Sequence, residues 1–350
     1  MVIRRATTAT VAIVAAAWVA GVAPAAQAAT DPFTHTATAT VFFPNPVTQT
    51  GNESLTDSND ADLPAFAPAY KLVTLEHLDG SGGLTGKYVV VKSSTGKAAT
   101  ATNGAFPAFH RDVDQFEQVM GYYWVDRAQA YLQFLGFGST LPAANQRQIE
   151  LRIDQFGGDN SFFKGNKANI TLGKGGVDDA EDAEVIVHEY GHSVQDGQIP
   201  GFGTTLESGA IGEAFGDYLS VVVTDWVAGV PTLTPEACVA DWDSTSYTST
   251  VPHCLRRLDS NLTVADVNGE VHHDGMIWSR ALWDIRNGYV SLGLGSRRAD
   301  TTIVDAQFDF APDTSFSAAA QATYNKALAR DGATAAQLVR NAFAARGITF

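Results

Sequence analysis

The pentapeptide His188-Glu189-Tyr190-Gly191-His192, an instance of the H-E-x-x-H pattern, is the feature that most constrains this chain. An α-helix turns about 100° per residue, so histidines four positions apart lie on nearly the same face, one turn above the other. Imidazoles in that arrangement can both reach one tetrahedral Zn²⁺. The intervening glutamate can lean over the metal without binding it and take a proton from a water molecule. The motif therefore predicts a helical zinc site with Glu189 as general base.

Apolar residues before the motif favour a buried helix over residues 184–196. Val185-Ile-Val187 would bury one side of this helix, and two ordinary surface histidines are the alternative. Burying two histidines and a glutamate is costly unless they are paired or bound to a metal, so burial strengthens the zinc prediction. Asp178-Asp-Ala-Glu181 has the form of a capping box near the helix start, and Gly197 is the predicted stop.

A second apolar helix downstream offers the third ligand that a catalytic zinc site needs. Glu213 follows His188 by 25 residues, and Asp217 lies four residues further along the same helical face. Glu213 would bind the metal, and Asp217 would accept the outer N–H of a ligand histidine. Two surface acids are the alternative, but Ala, Ile, Phe and Val surround them. The glycines that would let the two helices approach closely are Gly209, Gly212 and Gly216.

These two blocks resemble the thermolysin-like zinc endopeptidases, and within them the fungalysin family and its bacterial relatives. The block from Glu270 to Trp278 is similar to the fungalysin segment that carries a transition-state histidine. The family pattern has this histidine three residues before a glycine, which selects His272 over His273 as the donor to the oxyanion. The resemblance extends from about residue 38 to the C-terminus.

The resemblance implies an α+β, thermolysin-like fold with two lobes. Residues 29–183 would form a β-rich N-terminal lobe with one long helix, and residues 184–350 would carry the zinc-binding helices and a helical C-terminal lobe. Residues 111–134 predict a long amphipathic helix, and residues 315–346 predict two helices with a break at Asp331-Gly332. Strands are predicted at residues 39–43, 71–75, 87–92, 149–153 and 168–172.

Three residues are predicted to bind substrate. In the thermolysin-like fold, the segment similar to residues 149–173 has an edge strand that pairs with extended peptide. Asn160 and Ser161 would therefore bind the peptide backbone, with a plain turn as the alternative. Relatives have an arginine for the substrate carbonyl before the His272 block. Both Arg256 and Arg257 fit that spacing, and we favour Arg256.

The first 28 residues have the pattern of a secretory signal, with Arg4 and Arg5 before an apolar run and Ala26-Gln27-Ala28 at the predicted cleavage site. An uncleaved anchor is the alternative, although the apolar run is short for a bilayer. We therefore expect a secreted, extracellular protein. Phe43-Pro-Asn-Pro-Val47 resembles the start of the mature enzyme in fungalysin relatives. Because residues 29–42 alone separate it from the cleavage site, we expect the family's long propeptide to be absent.

Cys238 and Cys254 are the only cysteines, and such a pair in a secreted chain predicts a disulfide that closes a surface loop. The net charge of −15 argues against nucleic acid and anionic membrane surfaces as partners. Protein or peptide substrates and a monomeric state are expected instead. Calcium near the zinc site and simple helix caps are alternative roles for a set of acids: Asp178, Asp179, Asp182, Glu184 and Asp225.

The function predicted from the sequence is that of a secreted zinc endopeptidase. A secreted binding or adhesive protein with a structural zinc is one alternative, but it would need a fourth protein ligand that closes the site. It would also leave Glu189 and His272 without a reason to be present together. A zinc hydrolase of non-peptide substrates is the other alternative, because the same water chemistry serves other acyl groups.

Overall fold

Most of the N-terminal half of the chain packs around one buried helix. A computed structural model of the protein describes residues 31–93, 95–229 and 233–350, so the predicted signal at residues 1–28 lies outside the described residues. The buried helix, α2, comprises Asp114–Leu135 and ends where Gly136 takes a left-handed conformation with φ of 110°. It begins three residues later than predicted.

The prediction that this helix is amphipathic is wrong. Phe116, Met120 and Tyr123 are buried as expected and Ala130 is partly exposed, but buried residues extend around most of the helix surface. Strands of both N-terminal sheets and the zinc-motif helix contact α2, which leaves it little face for solvent. Because several elements cover it, α2 serves as the centre of the N-terminal core.

Two small sheets lie against α2. One pairs β1 with β2 antiparallel, and the other has the order β3-β4-β6-β5, in which β5 is an edge strand antiparallel to β6. The five predicted strand regions are confirmed, and β5 is an additional strand directly after Ser161. The elements are β1 (His35–Phe42), α1 (Pro46–Thr50), β2 (Tyr70–Leu78), β3 (Val89–Ser93), β4 (Ile149–Ile153), β5 (Phe162–Lys164) and β6 (Asn169–Thr171).

The H-E-x-x-H motif lies on helix α3, Ala183–Gln198, which packs against helix α4, Leu206–Ala228. The predicted capping box at residues 178–181 is wrong, because residues 179–181 form a separate 3-10 turn. The N-cap is Asp182, whose carboxylate accepts a 2.9 Å hydrogen bond from the Glu184 amide. Gly197 lies inside the last turn of α3 rather than after it.

The C-terminal part is helical. A short antiparallel pair, β7 (Cys238–Val239) and β8 (Arg256–Arg257), connects α4 to the remaining helices, and the predicted Cys238–Cys254 disulfide closes the intervening loop. Trp278 is buried against Phe343, with ring centroids 4.6 Å apart. The two helices predicted over residues 315–346 are confirmed, whereas α6 was not predicted. The elements are α5 (Val271–Ser291), α6 (Ser296–Ala306), α7 (Phe316–Asp331) and α8 (Ala333–Ala344).

This arrangement is the α+β architecture expected from the sequence, with small sheets first and a helical C-terminal part. Phe33–Phe350 form one compact unit. The division into lobes between residues 183 and 184 therefore stays a prediction. Among the described helices, none has the length and apolar character that a membrane crossing requires.

Candidate active site

Close packing of α3 on α4 brings the predicted metal ligands together. A Cβ atom at Gly191 would lie 2.9 Å from the Gly216 Cα, so the two helix backbones nearly touch at this point. Of the three glycines predicted to permit this approach, Gly216 lies at the contact. A Cβ atom at Gly212 would meet its nearest neighbour only at 3.5 Å, which is an ordinary contact distance. Gly209 faces Val271 of α5 instead. The role of Gly191 was not predicted, because Gly191 occupies one of the two x positions of H-E-x-x-H, where the pattern allows any residue.

His188, His192 and Glu213 converge on one point. One ligand atom from each lies within 4.8 Å of the others. His188 Nε2 is 3.2 Å from Glu213 Oε2, and His192 Nε2 is 3.6 Å from Glu213 Oε1. Tetrahedral zinc with bonds of about 2.0–2.1 Å separates neighbouring ligand atoms by about 3.3 Å. The three side chains therefore fit Zn²⁺ both in donor type and in spacing.

The ionisation of His192 and Glu213 also suits a metal. Burial alone would raise the pKa of Glu213, but the neighbouring His192 and His188 hold it below its usual range. Burial lowers the pKa of His192 to about 4, which keeps its ring neutral at physiological pH. Burial opposes charge on His188 as well, yet hydrogen bonds to Asp217 and Glu213 raise its pKa to about 10. The neutral His192 beside the ionised Glu213 is in the form that binds a cation, whereas His188 would have to release its proton when a metal binds.

Glu189 points into the same space without joining the ligand group. The residue is buried, and its Oε2 atom has no hydrogen-bond partner although it lines the cleft. Burial raises the pKa of Glu189 to about 7, with the charge of His188 acting in the opposite direction. A buried carboxylate oxygen without a partner is costly, so its position at the cleft suits a group that accepts a proton there.

Asp217 connects two functional side chains. Its Oδ1 atom accepts a 2.8 Å hydrogen bond from His188 Nδ1, as predicted. Arg256 donates to both carboxylate oxygens, with Nε to Oδ2 and Nη2 to Oδ1 each at 2.7 Å. Only two of the five guanidinium N–H groups are used, so Arg256 keeps donors for the cleft that it lines. Arg257 instead pairs with Asp259.

His272 approaches the same carboxylate oxygen of Glu213 as His188 does. The carboxylate of Glu270 caps α5 and accepts a 2.6 Å hydrogen bond from His272 Nδ1, which directs Nε2 to within 3.3 Å of Glu213 Oε2. His273 Nδ1 lies 3.1 Å from the Asp274 carboxylate. His272 is half exposed and lines the cleft, so it is the histidine that a substrate would meet. The role of Glu270 was not predicted, because no sequence motif marks a helix-capping glutamate that also orients a histidine.

Asn160 and Ser161 line the cleft at the start of the edge strand β5. The Ser161 hydroxyl donates to the Asp179 carboxylate, so this side chain already has a partner. The whole cleft has a volume of 890 Å³ and contains every predicted ligand and substrate-binding residue. It also contains four further acids that the sequence did not associate with substrate: Asp179, Glu184, Asp196 and Asp243.

The acids considered for calcium do not form one group. Asp178 lies with Glu117 and Asp154, whereas Asp179 lies with Asp159 and Asp243. The others have separate partners: Asp182 caps α3, Glu184 accepts from the Ala240 amide at 2.6 Å, and Asp225 pairs with Arg286 at 3.0 Å.

Comparisons with known proteins agree with this geometry. Residues 201–348 match the family model described as the thermolysin metallopeptidase, alpha-helical domain. This range includes Glu213, Asp217, Arg256 and His272, while the H-E-x-x-H motif precedes it. No curated protein sequence matches the chain. Among solved structures, the precursor of protealysin, a metalloproteinase from Serratia proteamaculans, matches with a TM-score of 0.54 and 17% identity over 83% of this chain and 95% of that one. Residues 201–348 are therefore similar to the α-helical domain of the thermolysin metallopeptidases, and the chain has a thermolysin-like fold.

Proposed function

We propose that this protein is a secreted, zinc-dependent endopeptidase. The observation that carries the proposal is the convergence of His188, His192 and Glu213 beside a buried Glu189 whose Oε2 has no partner. Within the described part of the chain, this group of possible ligands has three members, which leaves a position for water and substrate. A structural zinc would need a fourth ligand, so the open arrangement favours a catalytic role.

The three ligands would hold Zn²⁺, which when bound polarises a carbonyl group and lowers the pKa of water. Glu189 takes the proton of the attacking water and delivers it to the leaving amine. Its unpartnered oxygen is available for this exchange without first breaking a hydrogen bond. Asp217 holds His188 in the tautomer that presents Nε2 to the metal.

His272 and Arg256 stabilise the negative charge that develops on the carbonyl oxygen. Glu270 orients the His272 ring, and Asp217 orients the Arg256 guanidinium, so both donors are fixed before the substrate arrives. Donors that are already oriented lower the barrier because they need no reorganisation during the reaction. The oxygen would lie between the two donors.

Asn160 and Ser161 would bind the substrate backbone at the edge of β5. The edge position leaves one side of β5 outside the sheet pairing, and an extended peptide can add there as a further strand. This feature favours peptides over other acyl substrates. We also propose that the protein is related to the fungalysin family. This proposal rests on the H-E-x-x-H motif, on the helical segment that contains Glu213 and Asp217, and on the segment from Glu270 to Trp278.

Secretion and a monomeric state belong to the same proposal. They rest on the signal pattern of residues 1–28 and on the family resemblance. Calcium binding is also proposed, and the group of Glu117, Asp154 and Asp178 is the one that offers three buried carboxylates. The net charge of −15 favours neither nucleic acid nor an anionic membrane as a partner.

The test is hydrolysis of casein by the purified protein, with and without 1,10-phenanthroline, beside Glu189→Ala with its zinc content measured. The proposal expects hydrolysis that the chelator abolishes and that Glu189→Ala lacks while it still binds one zinc per chain. Zinc binding without cleavage of any protein substrate would favour a structural zinc or a non-peptide substrate instead.

A further inference from the structure

Three aspartates from separate loops meet beside the catalytic groups and form what we call the acidic pocket. It consists of Asp159, Asp179 and Asp243, and one carboxylate oxygen from each lies within 4.8 Å of the others. Asp159 lies between β4 and β5, Asp179 in the turn before α3, and Asp243 in the 3-10 turn after β7. No role in zinc binding or in the proposed proton transfer involves them.

The acidic pocket opens on the cleft. Asp179 and Asp243 line the same cavity as Glu189 and Arg256, although they are only 2% and 3% exposed. The charge of Asp179 acts on Glu189, and the charge of Arg256 acts on Asp243, so the pocket and the catalytic groups are neighbours. A group that enters the pocket from the cleft would therefore belong to a residue close to the scissile bond.

The hydrogen-bond donors in the pocket are too few for three carboxylates. Asp179 accepts from the Ser161 hydroxyl and from the Gly173 amide at 3.4 Å. Asp159 accepts from the Tyr247 hydroxyl at 2.5 Å. Asp243 differs from both, because its buried Oδ1 atom has no hydrogen-bond partner.

Among the described residues, no lysine or arginine forms an ion pair with these three carboxylates. The two arginines that line the cleft pair with other acids, Arg256 with Asp217 at 2.7 Å and Arg147 with Asp196 at 2.7 Å, and Arg256 acts on Asp243 only through its charge. Burial raises the pKa of Asp179 to about 7, and burial together with neighbouring aspartates raises the pKa of Asp243 well above its usual range. Buried carboxylates become favourable when a cation pairs with them, so the pocket is suited to receive one.

The walls of the cavity favour an organic cation over a metal ion. Val185, Val239 and Leu255 line it, and Leu255 is held to Val239 by a 2.9 Å backbone hydrogen bond. A calcium ion takes 6–8 oxygen ligands, which apolar walls do not offer. A lysine or arginine side chain instead packs its methylene groups on apolar surface and presents only its charged end to carboxylates.

We propose that Asp179 and Asp243 form a subsite that binds the lysine or arginine side chain of the substrate residue next to the scissile bond. This inference rests on the proposed peptidase function and adds the class of substrate to it. Asp243 makes the direct ion pair through its free oxygen. Asp159 adds negative charge to the pocket, and its hydrogen bond to Tyr247 fixes its carboxylate at the rim.

The first experiment maps cleavage sites of the zinc-loaded protein on a mixed peptide library by mass spectrometry. We expect lysine and arginine to be enriched at one position next to the cut by at least about tenfold over norleucine, which is apolar and of similar length. Asp243→Asn and Asp179→Asn should each reduce this preference. Asp112→Asn removes the same charge from an exposed site and should leave the preference unchanged.

A second experiment measures binding without turnover. Calorimetry of Glu189→Gln with a matched pair of peptides, one with lysine and one with norleucine at the preferred position, should give at least about tenfold tighter binding of the lysine peptide. Adding Asp243→Asn to this variant should remove the difference. The cleavage map of the wild type and the comparison of the two peptides on Glu189→Gln both use an unaltered pocket, so neither requires a pocket variant to fold. Circular dichroism checks the fold of each variant.

The possible failures can be told apart. If the wild type cleaves no peptide, the proposed peptidase function fails. If it cleaves peptides without preferring lysine or arginine beside the cut, the function stands and the subsite is refuted. If Ca²⁺ binds the wild type but not Asp243→Asn, and leaves the lysine peptide no advantage, the pocket is a metal site and the inference is again refuted.

Discussion

Arg256 holds the carboxylate of Asp217 through two hydrogen bonds of 2.7 Å, and the same carboxylate accepts from His188. One buried acid therefore orients both a proposed metal ligand and a proposed oxyanion donor. The charge of Arg256 and its hydrogen bonds keep the pKa of Asp217 at about 2 despite burial. Asp217 is therefore ionised at neutral pH.

Asp217→Asn should weaken zinc binding by about 10–100-fold and lower kcat/KM by more, because it disturbs His188 and Arg256 together. Zinc affinity is measured by competition with a chromogenic chelator. Asp126→Asn is the matched control, since Asp126 is equally buried and pairs with His77 and Arg127 away from the cleft. Both variants should lose stability. Equal zinc affinity for the two variants would contradict the role given to Asp217.

Neighbouring arginines give a second prediction. Arg256→Lys loses the bidentate hydrogen bond to Asp217, because an ammonium group cannot reproduce the planar guanidinium. We expect kcat/KM to fall at least about tenfold. Arg257→Lys alters a partly exposed pair with Asp259, and activity should stay within about twofold of the wild type. Steady-state kinetics on one peptide compares them. A larger loss in Arg257→Lys would show that the wrong arginine has been assigned to the cleft.

The convergence of the proposed zinc ligands could be predicted from sequence, because helical periodicity alone decides that His188 and His192 share a face. Glu213 and Asp217 followed from the same rule applied to α4. Arg256 and Arg257 were harder, because neighbouring residues in a strand point to opposite sides and β8 has only two residues. The acidic pocket could not be predicted, since Asp179 and Asp243 are distant in sequence and only the fold brings them together.

The residue that caps α3 could not be predicted from the sequence either. Asp178, Asp179 and Asp182 are all acceptable N-cap residues, and sequence cannot tell which of them takes the cap geometry. The structure gives the cap to Asp182 and leaves Asp178 buried among other acids. The burial of α2 was underestimated for a related reason. Its polar residues, such as Glu117 and Gln118, suggest an exposed face, but neighbouring elements cover them.

Asp178 leads to a prediction about pH. Burial, then the charges of Glu181, Asp60 and Asp154, raise its pKa to about 9, whereas an unfolded chain has about 3.9. Between these values the folded state holds a proton that the unfolded state has released, so stability falls as pH rises. We expect the free energy of unfolding to decrease by at least about 1 kcal/mol from pH 5 to pH 8 in calcium-free buffer.

Urea unfolding of the zinc-loaded protein, in buffers from which a chelating resin has removed calcium before zinc loading, measures this slope. Asp178→Asn has no proton to release and should flatten it, while the exposed Asp112→Asn should not. If calcium binds the group of Glu117, Asp154 and Asp178, added Ca²⁺ should raise stability at pH 8 in the wild type and less in Asp178→Asn. Identical slopes in wild type and Asp178→Asn would rule out the proposed protonation.

Gly216 gives the sharpest test of how α3 and α4 approach. A Cβ atom there would lie 2.7 Å from His188 Nδ1, and the bond from His188 to Asp217 prevents the ring from moving away. Gly216→Ala should therefore destabilise the fold by about 1–3 kcal/mol and weaken zinc binding, although alanine is the better helix former. Gly212→Ala meets Gln195 only at 3.5 Å and His192 at 3.8 Å, which are ordinary contacts. It should be neutral or stabilise by up to about 1 kcal/mol. Urea unfolding and chelator competition compare the pair, and equal stability of both variants would mean that the helices can separate without disturbing the ligands.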